Sequence, residues 1–174
     1  MFETLLNDFT GTFHAIPPEV AAMRLLVAVL LGGLIGFERE VAAKPAGLRT
    51  HMMISMAACL FILVSQELSH LSFKEGVEVR TDPLRLIESV TAGVAFLAAG
   101  AIFTAKGTVK NLTTGASMWL AGAVGLCCGA GRLPLALIAA VISLGVLLIV
   151  SRLEAAAPFG KTPEHLKGRE EPAE

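Results

Sequence analysis

The sequence has no tyrosine, a single tryptophan and few charged residues. Only 17% of its 174 residues are charged, whereas 54% are hydrophobic. Because a soluble domain has about a quarter of its residues charged, this composition excludes an ordinary water-soluble domain. With Trp119 as the sole indole, the interfacial aromatic belt of a membrane protein is thin. The net charge of −1 provides no basic field that would attract nucleic acid, so we expect no nucleic-acid partner.

Motifs of catalysis and metal binding are also missing. The three cysteines, Cys59, Cys127 and Cys128, lie inside apolar runs and form no CxxC pair, which favours a packing role. The sequence contains no Gly-x-Ser-x-Gly, no His-Glu-x-x-His and no phosphate-binding glycine loop. We therefore expect a protein that is not an enzyme and has neither a cofactor nor a bound metal.

Long apolar runs dominate the rest of the chain and predict an all-α integral membrane bundle of five transmembrane helices. The spans are Val20–Phe37, Met52–Gln66, Ser89–Ala105, Asn111–Gly131 and Leu133–Ser151. The first two are short for a bilayer, which predicts local thinning or charged residues slightly inside the membrane. Residues 20–152 form this transmembrane domain, residues 1–19 an amphipathic or flexible leader, and residues 153–174 a disordered tail.

The orientation of the bundle follows from its lysines and arginines. Five spans place nine of these residues on one side of the membrane: Arg39, Lys44, Arg49, Lys106, Lys110, Arg152, Lys161, Lys167 and Arg169. The other side holds five: Arg24, Lys74, Arg80, Arg85 and Arg132. The side richer in positive charge is expected in the cytoplasm, so the N-terminus is predicted outside and the C-terminus inside.

Two local patterns concern the helices themselves. Asp82 before Pro83 is typical of a helix N-cap followed by proline at the first helical position. Small residues at intervals of about four predict close helix packing in lipid, either within the chain or between two copies. The predicted packing residues are Gly32, Gly36, Gly93, Ala95, Ala99, Gly100, Ala121, Gly125 and Gly129.

Two polar connections fall on the predicted cytoplasmic face and are the candidate functional region. They contribute Glu38, Arg39, Glu40, Lys44, Arg49, Thr50, His51, Lys110, Asn111, Thr113 and Thr114. These residues are either interfacial charges that fix helix ends or a polar site in which Glu38 or Glu40 pairs with Arg49. Thr50 is expected to cap the second helix, and His51 to be a hydrogen-bonded structural residue more than a metal ligand. Glu38 and Glu40 suit magnesium, but the neighbouring cations favour an anion or an internal ion-pair network.

The run LLGGLIGFEREVAAKPAGLRTHMMISMAACLF resembles the MgtC/SapB family of bacterial inner-membrane proteins. So does DPLRLIESVTAGVAFLAAGAIFTAKGTVKNLTTGASMWLAGAVGLCCGAG further along the chain. The resemblance covers most of Arg24–Val150. This chain departs from the family pattern at Ala95 and Ala98, where glycines are usual, and this predicts a slightly wider helix contact. Some relatives continue into a soluble domain after the fifth helix. The chain is expected to be a short form without it, so functions that need that domain are in doubt.

The resemblance implies a non-enzymatic inner-membrane protein linked to growth at low magnesium and to intracellular survival. Such a protein modulates other membrane proteins, including the proton-driven ATP synthase. Two alternatives remain open from the residues: a transporter or channel for magnesium or another cation, and a lipid-interacting protein. Ser55, Ser117 and Ser143 are the candidate mid-membrane polar residues for the former. The expected partners are membrane lipids, other inner-membrane proteins and a second copy in a homodimer.

Overall fold

A computed structural model of the protein describes residues 15–69, 82–105 and 108–156. The described part folds into five long helices and one short β-hairpin. They are α1 (Pro18–Val41), α2 (Leu48–Ser69), α3 (Pro83–Ala101), β1 (Phe103–Ala105), β2 (Thr108–Lys110), α4 (Leu112–Gly129) and α5 (Leu133–Ala156). All five helices are long and apolar enough to cross a membrane. The predicted all-α bundle of five transmembrane helices is confirmed. Most of the predicted leader, residues 1–14, and most of the predicted tail, residues 157–174, lie outside the described residues.

The first two helices are longer than predicted. α1 continues through its acidic and basic residues to Val41, and α2 already begins at Leu48. At 1.5 Å per residue they span about 36 Å and about 33 Å, which exceeds the roughly 30 Å hydrocarbon core. The expectation of two short spans is therefore wrong. The apolar runs end at the first charged residue, whereas the helices do not.

Helix α4 lies at the centre of the bundle. In its span 61% of the residues are buried, compared with 17% in α3 and in α5. α1, α2 and α4 pack closely against one another, and we call these three helices the inner unit. α3 packs mainly on α4, and α5 packs on α1 and α4. We call α3 and α5 the outer helices.

Glycines allow the helices of the inner unit to approach closely. A Cβ atom at Gly36 would lie 2.8 Å from Cα of Leu48, and one at Gly32 would lie 2.7 Å from the carbonyl oxygen of His51. On α4, a Cβ at Gly129 would lie 2.6 Å from the carbonyl oxygen of Cys59, and one at Gly125 would overlap that of Ser55. Ala121 is completely buried on the same helix. These small residues are therefore used for packing within a single chain.

The small residues of α3 have different surroundings. A Cβ at Gly93 or Gly100 would meet no atom within 4 Å, and Ala95 and Ala99 are exposed. Of the two predicted alternatives, packing within one chain is therefore not observed for these four residues. α3 instead buries Val90, Val94 and Ala98 against α2 and α4. For contacts with other molecules the role stays a prediction.

The ends of α3 differ in how well they were predicted. Asp82 is the N-cap, and its side chain accepts a hydrogen bond from the amide of Leu84 at 3.0 Å, which confirms that prediction. At the other end α3 stops at Ala101, whereas the apolar run predicted helix to Ala105. Residues 103–105 instead pair antiparallel with residues 108–110, so that Phe103 faces Lys110. This hairpin leads directly into α4.

Arg24 links α1 to α2 and α4 at the end of the bundle opposite the hairpin. One of its guanidinium nitrogens donates to the carbonyl oxygen of Gly129 at 2.9 Å and to Oε1 of Gln66 at 3.3 Å. A cation at the last carbonyls of a helix is favoured by the helix dipole. The carboxylate of Glu67 accepts from the amides of Ala15 and Ile16. Arg24 of α1 is thereby bound to the end of α4.

Candidate functional site

The predicted polar residues lie where α1, α2, α4 and the β-hairpin come together. We call this end of the bundle, formed by residues 42–47, the hairpin and the adjoining helix ends, the polar end. Glu38 and Arg39 occupy the last turns of α1 there, and both are buried, at 7% and 3% exposure. Their side chains form an ion pair through Glu38 Oε2 and Arg39 Nε. Because each charge neutralises the other, the pair can be buried at a moderate cost.

No ion pair joins Arg49 to Glu38 or Glu40, so that predicted pairing is wrong. Arg49 is exposed in the first turn of α2. Glu38 does form a buried ion pair, but its partner is Arg39, its neighbour in the chain. Adjacent helical residues point about 100° apart at Cβ. The long side chain of Arg39 bridges that angle and brings both residues into one pair.

Hydrogen bonds fix the turn between α1 and α2 at the end of α1 and at the start of α2. The amide of Lys44 donates to the carbonyl of Arg39, and that of Ala43 to the carbonyl of Glu40, which is the Schellman arrangement of a helix C-terminus. Ala43 takes the left-handed position with φ of 53°, which glycine usually occupies. A non-glycine residue held in this conformation stores strain of about 1 kcal/mol.

Glu40 caps the following helix. Its Oε2 accepts a hydrogen bond from the amide of Leu48 at 2.9 Å, and a Cβ atom at Gly47 would overlap this carboxylate. Thr50 was predicted to be the cap of α2, and this is wrong. It lies inside the first turn of the helix, because α2 begins two residues earlier.

His51 is fully buried between α2 and α4. Its Nδ1 lies 2.8 Å from the carbonyl oxygen of Gly47, and its Nε2 lies 3.0 Å from Oγ of Ser117. The hydroxyl of Ser117 also lies 2.9 Å from the carbonyl oxygen of Thr114. The expected hydrogen-bonded histidine is present, and it connects the two polar connections through a residue on the second turn of α4.

The second connection contributes less than predicted. Asn111 precedes α4 at a φ of 66°, and its side chain makes no cap bond to the helix. Its Nδ2 instead donates to the carbonyl oxygen of Ala101 at 3.0 Å and so joins the two ends of the hairpin. Thr114 is buried, whereas Thr113 and Lys110 are exposed. Among the described hydrogen bonds, none joins the side chains of Asn111, Thr113 or Lys110 to the connection that carries Arg49.

The structure therefore divides the predicted residues into two sets. A buried set lies inside the inner unit: Glu38, Arg39, His51 and Thr114. An exposed set lies on the surface of the polar end: Glu40, Lys44, Arg49, Lys110 and Thr113. The remaining two, Thr50 and Asn111, are half-buried. Sequence reasoning missed Ser117 as the partner of His51, because the two residues are 66 positions apart. The only sequence signal was the rarity of polar residues in the fourth span.

The electrostatics of the polar end follow from these contacts. Glu38 is neutralised by Arg39, and the carboxylate of Glu40 binds a backbone amide, whereas Lys44, Arg49 and Lys110 stay exposed. The surface of this end is consequently basic. Among the described residues, no three His, Cys, Asp or Glu side chains are grouped so that they could hold a metal ion.

Two grooves open on the sides of the bundle. The first, of about 390 Å³, lies between α2 and α3 and is lined by apolar residues together with Ser89 and Gly93. The second, of about 420 Å³, lies between α4 and α5, and Thr113, Ser117 and Ser143 are among its lining residues. Both grooves are almost entirely apolar, which suits the acyl chains of lipids or the side chains of a neighbouring membrane helix.

Comparison with known proteins identifies relatives over most of the chain. Residues 25–156 match the sequence model of the MgtC family. The chain is 36% identical over 138 residues to the "Putative magnesium transporter YhiD" of Escherichia coli K12, which covers 75% of this chain and 60% of that protein. It is 37% identical over 130 residues to "Protein MgtC" of Brucella abortus, which covers 75% of this chain and 51% of that protein.

A third relative is "Protein SapB" of Bacillus subtilis, 37% identical over 117 residues, with 67% of this chain and 50% of that protein covered. The chain thus spans about half to three fifths of the length of the curated relatives it matches. No solved structure matches it.

Proposed function

The chain belongs to the MgtC family, and on that premise we propose that it is a non-enzymatic inner-membrane protein that modulates other membrane proteins. The proton-driven ATP synthase is the modulated protein that the family resemblance implies, and adaptation to low magnesium and intracellular survival are the physiological roles. We also propose that the polar end faces the cytoplasm. The chain would then have its N-terminus outside and its C-terminus inside.

One observation carries this proposal: the described spans contain no Asp, Glu, Lys, Arg or His residue in their middle turns. The charged residues of the helices lie in their first or last third, as Arg24 and Glu38 do in α1. Coupled transporters usually place ionisable residues near the centre of the membrane. The most polar groups at that depth are serines such as Ser55 and Ser143, and both are buried. A closed inner unit of this kind suits a binding protein better than a pathway for ions.

The outer helices supply the surfaces on which partners would bind. α3 and α5 expose large apolar side chains along their length, including Phe96 at 79% and Ile142 at 61% exposure. In a membrane such faces contact lipid, a second copy of the chain or another protein. We propose all three as partners, with the homodimer formed through the small residues of α3. The basic surface of the polar end would add contacts with anionic headgroups or with an acidic patch of the modulated protein.

Inverted inner-membrane vesicles test the proposal directly. Vesicles from cells grown at low magnesium, with and without the protein, are compared for ATP-driven proton pumping by the quenching of an acidotropic dye. We expect the protein to lower the rate of pumping, and Glu38→Gln to abolish this effect. Glu19→Gln is the matched control, because Glu19 is an exposed acid in the first turn of the same helix.

The name of the YhiD relative makes magnesium transport the competing function. Purified protein in liposomes that contain a magnesium-sensitive dye answers this question. We expect magnesium entry no faster than in protein-free liposomes. Entry that depends on the protein, together with unchanged proton pumping in the vesicles, would contradict the proposed function and favour transport.

A further inference from the structure

Both ring nitrogens of the buried His51 lie at hydrogen-bond distance from an oxygen. Each ring nitrogen has one oxygen neighbour: Gly47 O at 2.8 Å from Nδ1, and Ser117 Oγ at 3.0 Å from Nε2. A carbonyl oxygen only accepts hydrogen bonds, so Nδ1 must carry a hydrogen. The neutral ring then has a bare lone pair on Nε2, and this lone pair needs a donor.

Ser117 has one hydroxyl hydrogen and two acceptors for it. The first is Nε2 of His51, and the second is the carbonyl oxygen of Thr114, which lies 2.9 Å from the hydroxyl. When the hydrogen points to Nε2, the neutral histidine is fully satisfied. When it points to Thr114, two lone pairs face each other unless Nε2 also carries a hydrogen. Both contacts can be hydrogen bonds at the same time only if the ring is doubly protonated.

We propose that His51 is a reversible proton-binding site within the inner unit. A proton from the polar end adds to the lone pair of Nε2, and no covalent bond breaks. The Ser117 hydroxyl then turns from Nε2 to the carbonyl of Thr114, and its oxygen accepts from the new Nε2–H. Rotation about a single C–O bond is sufficient, so both protonation states fit without displacing a helix.

Burial of the ring opposes proton binding, and the groups that face the ring add to or offset this effect. From α1, Glu38 and Arg39 act on His51 with opposite signs. α4 presents hydroxyl groups and no described charged residue, and Arg49 of α2 itself is exposed. With His51 neutral, Glu38 and Arg39 balance each other. A protonated His51 adds a positive charge, and Glu38 is the described acid that acts on the ring, so His51 and Arg39 then share its carboxylate.

This sharing links the proton to the conformation of the polar end. Glu38 and Arg39 lie in the last turns of α1, and His51 binds Gly47 in the turn between α1 and α2. Proton binding therefore loosens the Glu38–Arg39 pair at a position next to the basic surface. The inference concerns this site alone and does not depend on which membrane protein is modulated or on whether magnesium is transported.

Nitrogen NMR of the histidine ring tests the site in the full chain. The protein has four histidines, and replacing His14, His70 and His165 with Gln leaves His51 as the sole source of signal. Ring-labelled protein in lipid nanodiscs is measured from pH 8 downward to the pH at which the fold is lost. We expect the neutral form with hydrogen on Nδ1 at high pH, and hydrogen on both nitrogens at low pH, in a reversible transition. A ring that keeps a bare Nε2 throughout, or that carries its single hydrogen on Nε2, overturns the proposal.

A charge variant adds a second test. At a pH within the transition, Glu38→Gln should lower the ratio of protonated to neutral His51 about tenfold or more, since an opposite charge is removed. Glu19→Gln on the exposed face of α1 should leave the ratio unchanged. If Glu38→Gln does not fold, Ser117→Thr is used instead, because it keeps the hydroxyl and should retain the transition. Loss of the transition in a folded Ser117→Thr variant, or equal ratios with and without Glu38, would contradict the assigned counter-charge and relay.

Discussion

The inner unit and helix α3 carry the same small-residue pattern, yet the pattern has opposite surroundings in the two regions. At Gly125 of α4 a side chain would overlap the backbone of α2, whereas at Gly93 and Gly100 of α3 there is open space. Glycine costs up to about 1 kcal/mol in a helix interior. In α1 and α4 close packing offsets this cost within the chain, and in α3 nothing described does so. Small residues at this spacing therefore indicate that another helix can pack closely, but they do not show whether that helix belongs to the same chain or to another molecule.

The largest difference in stability between the inner unit and α3 is expected when a charged side chain is removed from each. Arg39→Gln leaves the buried Glu38 without its partner, and removal of one member of a buried pair costs about 3–5 kcal/mol. Unfolding of the purified protein, followed as SDS is added to detergent micelles, measures this change. Arg85→Gln on α3 is the matched control, since Arg85 is exposed, and it should alter stability little. Equal losses of stability in both variants would show that the buried Glu38–Arg39 pair does not stabilise the inner unit.

The next effect concerns helix approach in the inner unit. Gly125→Ala places a methyl group against the carbonyl of Ser55, and forcing α2 and α4 apart should cost about 2–3 kcal/mol. The same SDS titration measures it. An unchanged midpoint would mean that α2 and α4 are farther apart than described.

A smaller effect of opposite sign is expected at Ser55. Its hydroxyl is fully buried and has no hydrogen-bond partner among the described residues, whereas that of Ser117 bonds with His51. Ser55→Ala removes an unsatisfied group and should raise the unfolding free energy by about 1 kcal/mol. Ser117→Ala should lower it by a similar amount. A loss of stability in Ser55→Ala would instead reveal a bound water or ligand at this hydroxyl.

The smallest effect is expected on α3. Gly93→Ala should raise the stability of the monomer in detergent by about 0.5–1 kcal/mol, because helix propensity improves and no clash is introduced. The informative measurement is the same variant in native membranes with cysteine crosslinking between copies. Weaker crosslinking than in the unchanged protein is expected if α3 forms the dimer. Unaltered crosslinking would place the contact elsewhere.

Much of the fold follows from apolar runs, since the number and order of helices were predicted correctly. Their ends were not, because a run stops at Glu38 although backbone hydrogen bonding continues to Val41. The hairpin was missed for a similar reason. Phe103 and Thr104 extend an apolar run, and only the Thr and Val content of residues 108–110 and the Gly107 between the strands indicated β-structure.

The candidate site was predicted as a set of residues but not as a set of contacts. Glu38 was identified, yet its partner Arg39 was not, because helical spacing argues against neighbours sharing a site. The His51–Ser117 contact joins residues far apart in the chain, and no local pattern encodes it. Contacts of this kind depend on which helices become neighbours, and periodicity along one helix does not contain that information.

The position of α3 outside the inner unit affects how the protein is made. A ribosome delivers α1 and α2 first and then α3, which must leave the centre free for α4. The 66 residues between His51 and Ser117 take about 3–13 s to synthesise. During that time the imidazole of His51 lacks its hydrogen-bond partner Ser117, and the face of α2 that packs against Gly125 and Gly129 is uncovered. The synthesis of α3 thus separates in time the formation of the turn between α1 and α2 from the packing of α4 against that end of the bundle.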